Sequence, residues 1–166
     1  MSRSGYSDGD CDDTESFLRM CGWQANVKRC IAGRHGQGFL WELYQALEAL
    51  PERRLITGAL EAHGAYCSLG AVAWARGLPI PETLRGEVDE DLEYELAEMY
   101  EGMGHMLGIK DMLAREIMWV NDEDDRLHYV EGPPQHRYSE PTREETPEER
   151  WHRVRRWVVT RLKGIP

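Results

Sequence analysis

No two cysteines in this chain form a C-x-x-C pair, and no two histidines follow the H-E-x-x-H pattern. The four cysteines, Cys11, Cys21, Cys30 and Cys67, are spaced too irregularly for a zinc framework. Long apolar runs are missing too. The longest uncharged stretch, Gly64 to Ala75, is well short of the ~18 residues that a membrane span requires. The opening residues, MSRSGYSDGDCDD, have no apolar region of the signal-peptide kind. A basic surplus is absent as well: 30 acids against 20 bases give a net charge of −10. That excludes a non-specific nucleic-acid binder, which needs a cationic footprint. No internal repeat is visible. These features together predict free thiols in a reducing compartment, with no membrane or direct nucleic-acid contact.

What is present is enough for one folded domain. The 166 residues are 41% hydrophobic and 30% charged, which suits a globular chain with its own core. Residues 1–13 are small, polar and acidic and read as a flexible arm. Residues 14–166 read as a single α-helical domain. The alternating Asp8, Asp10 and Asp12 match the start of a calcium loop, but the glycine and bidentate glutamate that such a loop needs are replaced by Asp13 and Arg19.

Helical spacing of apolar residues dominates the remainder. A first helix is predicted from about Thr14 to Ile31, capped by Asp13 or Thr14. Phe17, Cys21, Trp23, Val27, Cys30 and Ile31 form its inner side, with a break at Gly22. A second helix spans Gln37 to Leu50 with Leu40, Leu43, Tyr44, Leu47 and Leu50 inward. Residues Arg53 to His63 suit either a helix or an extended piece. Ser68 is placed as the cap of a short apolar helix that ends at Gly77. Leu78-Pro79-Ile80-Pro81 is an extended linker.

A helix over Glu87 to Glu101 carries eight acids and no base. Gly102 and Gly104 end it. Lys110 to Val120 is the next helix, with Leu113, Ile117 and Val120 inward. Residues 122–145 read as a long loop with some β-like pairing around Leu127 to Val130. The last helix has the strongest start signal: Thr146 as N-cap, Pro147 at the first turn and Glu149 completing a capping box. Trp151, Val154, Val158 and Leu162 line its apolar side. Between Pro147 and Lys163 it holds six bases and two acids. The predicted class is all-α, a compact domain of about six helices.

Several segments are similar to a family of small uncharacterised phage and prophage proteins. They are Arg3-Ser4-Gly5-Tyr6-Ser7-Asp8 with Cys11-Asp12, Gly33-Arg34-His35-Gly36-Gln37-Gly38-Phe39-Leu40, and Cys67-Ser68-Leu69-Gly70-Ala71. Ala114-Arg115-Glu116-Ile117, Asn121-Asp122-Glu123 and Glu145-Thr146-Pro147-Glu148-Glu149-Arg150-Trp151 continue the likeness in order. An extra residue in the arm and a longer segment between Asp124 and Glu144 depart from it. The resemblance implies a setting, the cytoplasm of an infected bacterium, and an accessory role. It implies no chemistry.

Candidate chemistry comes from the residues themselves. Cys67 and His63 stand at i and i+4, and Asn121 and Asp122 can supply an orienting amide or carboxylate, which is the layout of a cysteine hydrolase. The opposing expectation is that Cys67, in the most apolar stretch, is a core residue and that Asn121 caps a helix. Six histidines, His35, His63, His105, His128, His136 and His152, are scattered. His105 near Glu101 and His128 near the acids at 122–125 are the ones that suit a metal-dependent hydrolase. Gly33-Arg34-His35-Gly36-Gln37 suits either an anion site or a tight interhelical turn in which glycine supplies positive φ.

The leading expectation is a non-enzymatic protein, with no cofactor and no metal, that binds and inhibits a bacterial host protein through an acidic surface. A nucleic-acid-binding defence complex is one class of target. Glu90, Asp91, Glu95 and Glu98 are its acidic contacts, and Trp41 and Trp119, which lie off the main stripes of their helices, are its aromatic ones. A virion accessory protein is the further alternative.

Overall fold

The computed structural model describes residues 14–86, 102–122, 128–129, 138–139 and 145–164. Helix α1 is Thr14–Ala32 and α2 is Arg34–Ala49. A two-residue pair follows, β1 (Glu61–Ala62) with β2 (Ala65–Tyr66), then α3 (Ser68–Ala75) and a 3-10 turn at Glu82–Leu84. Next come α4 (Met103–Met106) and α5 (Asp111–Asp122). A second antiparallel pair, β3 (His128–Tyr129) with β4 (Tyr138–Ser139), precedes α6 (Pro147–Arg161). Strands are confined to these two-residue pairs among the described residues, so the fold is all-α, as the periodicity predicts. The pairing at His128–Tyr129 falls where the loop was expected to turn β-like. The arm 1–13 and the acidic stretch 87–101 lie outside the described residues.

Helix α2 is the centre of the core. Leu40, Leu43 and Leu47 are fully buried on one side of it, three and four residues apart. It packs on α1, α3 and α6, and α5 touches the same three helices and α4. Leu113, Ile117 and Val120 point inward from α5 as expected. Trp151, Val154 and Val158 do the same from α6, where Thr146 Oγ1 accepts the Glu149 N–H and Glu149 Oε2 accepts the Thr146 N–H. The capping box is thus complete. The Trp151 indole N–H donates to the Leu47 carbonyl at 3.0 Å, which ties α6 to the central helix.

The structure decides four points. Helix α1 runs unbroken through Gly22, and Cys21 is exposed rather than inward. Helix α2 begins three residues early. Gly33 is its N-cap with φ −74, so glycine is not there for a positive φ. The reason lies at Gly36, where a Cβ would collide with the Cys30 carbonyl of α1. The glycines let two helices meet closely with one residue between them. The third point is Arg53 to His63, open between a helix and an extended piece: it is not helical, and bends lead into the two-residue strand β1. His63 (φ 52) and Gly64 (φ 77) form the two-residue turn between β1 and β2. The fourth is the cap of α3: it is Cys67, whose Sγ accepts the Gly70 N–H at 3.4 Å, and not Ser68. Gly70 in turn faces the Leu60 carbonyl, where any Cβ would clash.

Candidate functional site

The hairpin separates the residues of the proposed cysteine site. In a helix, positions 63 and 67 would share a face. In this hairpin His63 occupies the exposed tip, and Cys67 is 2% exposed behind it with its sulfur used as a helix cap. Asn121 does come to the same corner, but as a brace. Its Oδ1 accepts the Ser68 N–H at 2.9 Å, and its Nδ2 donates to the Ile56 carbonyl and to Asp122 Oδ1, both at 2.8 Å. It is 1% exposed and lies within α5, so it is not a helix terminator. A buried amide that satisfies one donor and one acceptor on two other segments is a structural joint. No spacing rule links Asn121 to residues 56 and 68, which is why the sequence points only to a cap.

The histidines are dispersed. His35, His63, His105 and His152 are exposed on separate elements, and His128 belongs to β3. Among the described residues no three His, Cys, Asp or Glu side chains gather in a way that could hold a metal ion. His136 lies outside them.

The aromatic contacts are better placed. Trp41 is 43% exposed in the middle of the solvent face of α2, stacked on Tyr44 with ring centroids 5.6 Å apart. Trp119 is only partly exposed, because it packs against the core. The sequence reading missed Trp74, 38% exposed on α3 and 5.7 Å from the Tyr66 ring. No periodic signal marks it, because every residue from Leu69 to Ala75 is small or apolar and the helix shows no polar side.

Beside Trp41 the surface is held by ion pairs. Arg155 of α6 bonds Glu48 of α2 and reaches the Tyr44 hydroxyl, with its guanidinium 5.3 Å from the Tyr44 ring centre. The bond to Glu48 holds the Arg155 guanidinium above its ordinary pKa, against the opposing effect of desolvation. On the other flank Arg76 donates to both oxygens of Glu42 and to the Leu107 carbonyl, and the Glu42 bond likewise raises its pKa. Further along α6, Glu145 accepts two bonds from Arg153 and lies 3.3 Å from Arg150 Nε. Arg153 also bonds the Val120 and Asn121 carbonyls at the end of α5. Arg150, Arg153 and Arg155 of α6 therefore have carboxylates within the fold, Glu145 and Glu48. Glu90, Asp91, Glu95 and Glu98 lie outside the described residues.

The chain matches no family model, no curated protein and no solved structure.

Proposed function

We propose that this chain is a phage or prophage accessory protein that binds and inhibits a bacterial host protein through its acidic stretch, with Trp41 as an aromatic anchor. The observation that carries the reading is the charge distribution. Eight carboxylates over Glu87–Glu101 have no base among them, while Arg150, Arg153 and Arg155 of the basic helix meet Glu145 and Glu48 within the fold. Like charges at i and i+4, such as Asp91 and Glu95, cost a few tenths of a kcal/mol per pair in a helix (about 0.2–0.5). A basic partner surface relieves that repulsion and speeds encounter, more so at low salt. The target chemistry is a cationic face of the kind that binds nucleic acid. The cysteine-hydrolase alternative loses ground with Cys67 buried and its sulfur already accepting a main-chain hydrogen bond.

The test replaces Glu90, Asp91, Glu95 and Glu98 by Gln or Asn. Stability is followed by denaturant melts and binding by affinity capture from host lysate with mass spectrometry. Unchanged or slightly raised stability with loss of a salt-sensitive capture is the expected outcome. Full capture with a clear loss of stability overturns the reading, because the carboxylates would then be serving the fold.

A further inference from the structure

The elbow between α1 and α2 forms a half-open cavity of about 310 Å³, with residues Ile109 to Leu113 on its third side. That volume lies at the lower end of the range for small-molecule sites, roughly 300–1,000 Å³. In a chain with 30 acids and 20 bases, the wall contains, among the described residues, Arg29, Arg34, Lys110 and His35 and no carboxylate. These cations come from three separate elements. Arg29 donates to the Asn26 amide oxygen and the Ala25 carbonyl, both uncharged acceptors. Among the described residues no carboxylate pairs with any of the four. The other surface is different in kind: Ile109, Met112 and Leu113 are apolar, and the Cys30 thiol lies 3.3 Å from Met112 Sδ. A shallower groove of about 540 Å³ shares Ile109, Lys110 and Met112 and extends the space toward Trp23. The carboxylate there, Asp111, belongs to this outer groove.

We propose that this cavity binds a small phosphate monoester with an apolar body. Two guanidinium groups and an ammonium give three permanent positive charges, which suit a group carrying about −1.5 to −2 at neutral pH better than a single carboxylate. The apolar wall takes the body, and burial there favours a planar or hydrocarbon group over a sugar-like one. This site is independent of the acidic stretch and goes beyond the host-protein reading.

Cys30 is a built-in reporter, since it lines the cavity while Cys21 is exposed elsewhere on α1. Phenyl phosphate is the probe and phenol is its neutral counterpart. The wild-type chain is alkylated with iodoacetamide and the rate at each cysteine is read by peptide mass mapping. Phenyl phosphate should slow Cys30 saturably and leave Cys21 unaffected, while phenol leaves the rates of both unchanged. Lys110→Gln and Arg34→Gln should each raise the half-protecting concentration about tenfold or more, and Lys110→Arg should restore it. Both positions are exposed, and circular dichroism melts check that the variants fold. Isothermal titration calorimetry reads the same binding without using the thiol. The proposal is overturned by absence of both protection and heat at about 10 mM phenyl phosphate, well above a dissociation constant of ~1 mM. Equal protection by phenol, or protection unaltered in the Gln variants, overturns it too.

Discussion

On α6, Arg150 and Arg153 share the carboxylate of Glu145, and Arg155 holds Glu48 on the neighbouring helix. At the elbow of α1 and α2, Arg29, Arg34 and Lys110 line a cavity that holds no carboxylate among the described residues. The residue types are the same and the circumstances are opposite. Side chains of Glu145 and Arg150 keep only 11% of their surface, so their pairing is screened weakly, and Arg153, which shares Glu145, bonds the Val120 and Asn121 carbonyls of α5. Arg34 and Lys110 are exposed, and among the described residues no carboxylate pairs with either. A cation that secures a helix has lost its freedom to bind elsewhere. A cation left unpaired in a chain of net charge −10 retains it. Charge count along the sequence cannot tell the two apart, because the counter-charge for Arg155 comes from Glu48, over a hundred residues earlier.

The comparison can be broken from either side. The largest effect should come from Trp151→Ala, which removes the buried ring that anchors α6. It also frees the Leu47 carbonyl that the indole N–H now satisfies. A loss of about 3–5 kcal/mol is expected in urea melts, the usual cost for a large buried aromatic. Glu145→Gln tests the ion pairs themselves. It should cost about 2 kcal/mol, below the ~3–5 kcal/mol of a wholly buried pair, because Arg153 keeps its main-chain acceptors on α5. An effect near zero would mean that the α6 arginines are as idle as those at the elbow. Smaller again is Thr146→Ala, about 1 kcal/mol for a lost capping oxygen, and less if the partly exposed Glu149 holds the turn alone.

Local signals carried much of the fold. Thr146-Pro147 with Glu149 announces α6, and the stripe Leu40, Leu43, Leu47 announces α2, because each rule spans only a few residues. A glycine can serve two purposes, and local sequence does not say which. Positive φ can be guessed from a Gly-rich turn, but Gly36 and Gly70 are needed for the approach of Cys30 and Leu60 main chain. That requirement exists only once the helices are packed. The corner built from Ile56, Cys67, Ser68 and Asn121 was illegible for the same reason. The candidate site fared likewise: the exposure of Trp41 followed from its place off the stripe, whereas Trp119, equally off its stripe, is covered by the core. The anion possibility at residues 33–37 was visible as a motif, but its partner Lys110 is distant in sequence.

The smallest expected effect is also the most discriminating. Lys110→Gln and Arg34→Gln should each change stability by less than about 0.5 kcal/mol, as exposed substitutions without partners do. Two opposing influences set the sign. Removing a cation makes the whole chain more negative, which is unfavourable, but it also relieves repulsion among the cations that line one cavity. At physiological salt the screening length is about 8 Å, so neighbours in the cavity outweigh acids spread across the surface. The change should therefore be a slight gain at physiological salt, gone at about 1 M, where screening acts within roughly 3 Å. Melts of the two variants at physiological and high salt, beside Glu145→Gln, give the comparison directly. Losses of about 2 kcal/mol at Lys110 or Arg34 would show that these cations have structural partners after all. The distinction between the two regions would then fall, together with the reason for placing an anion in the elbow.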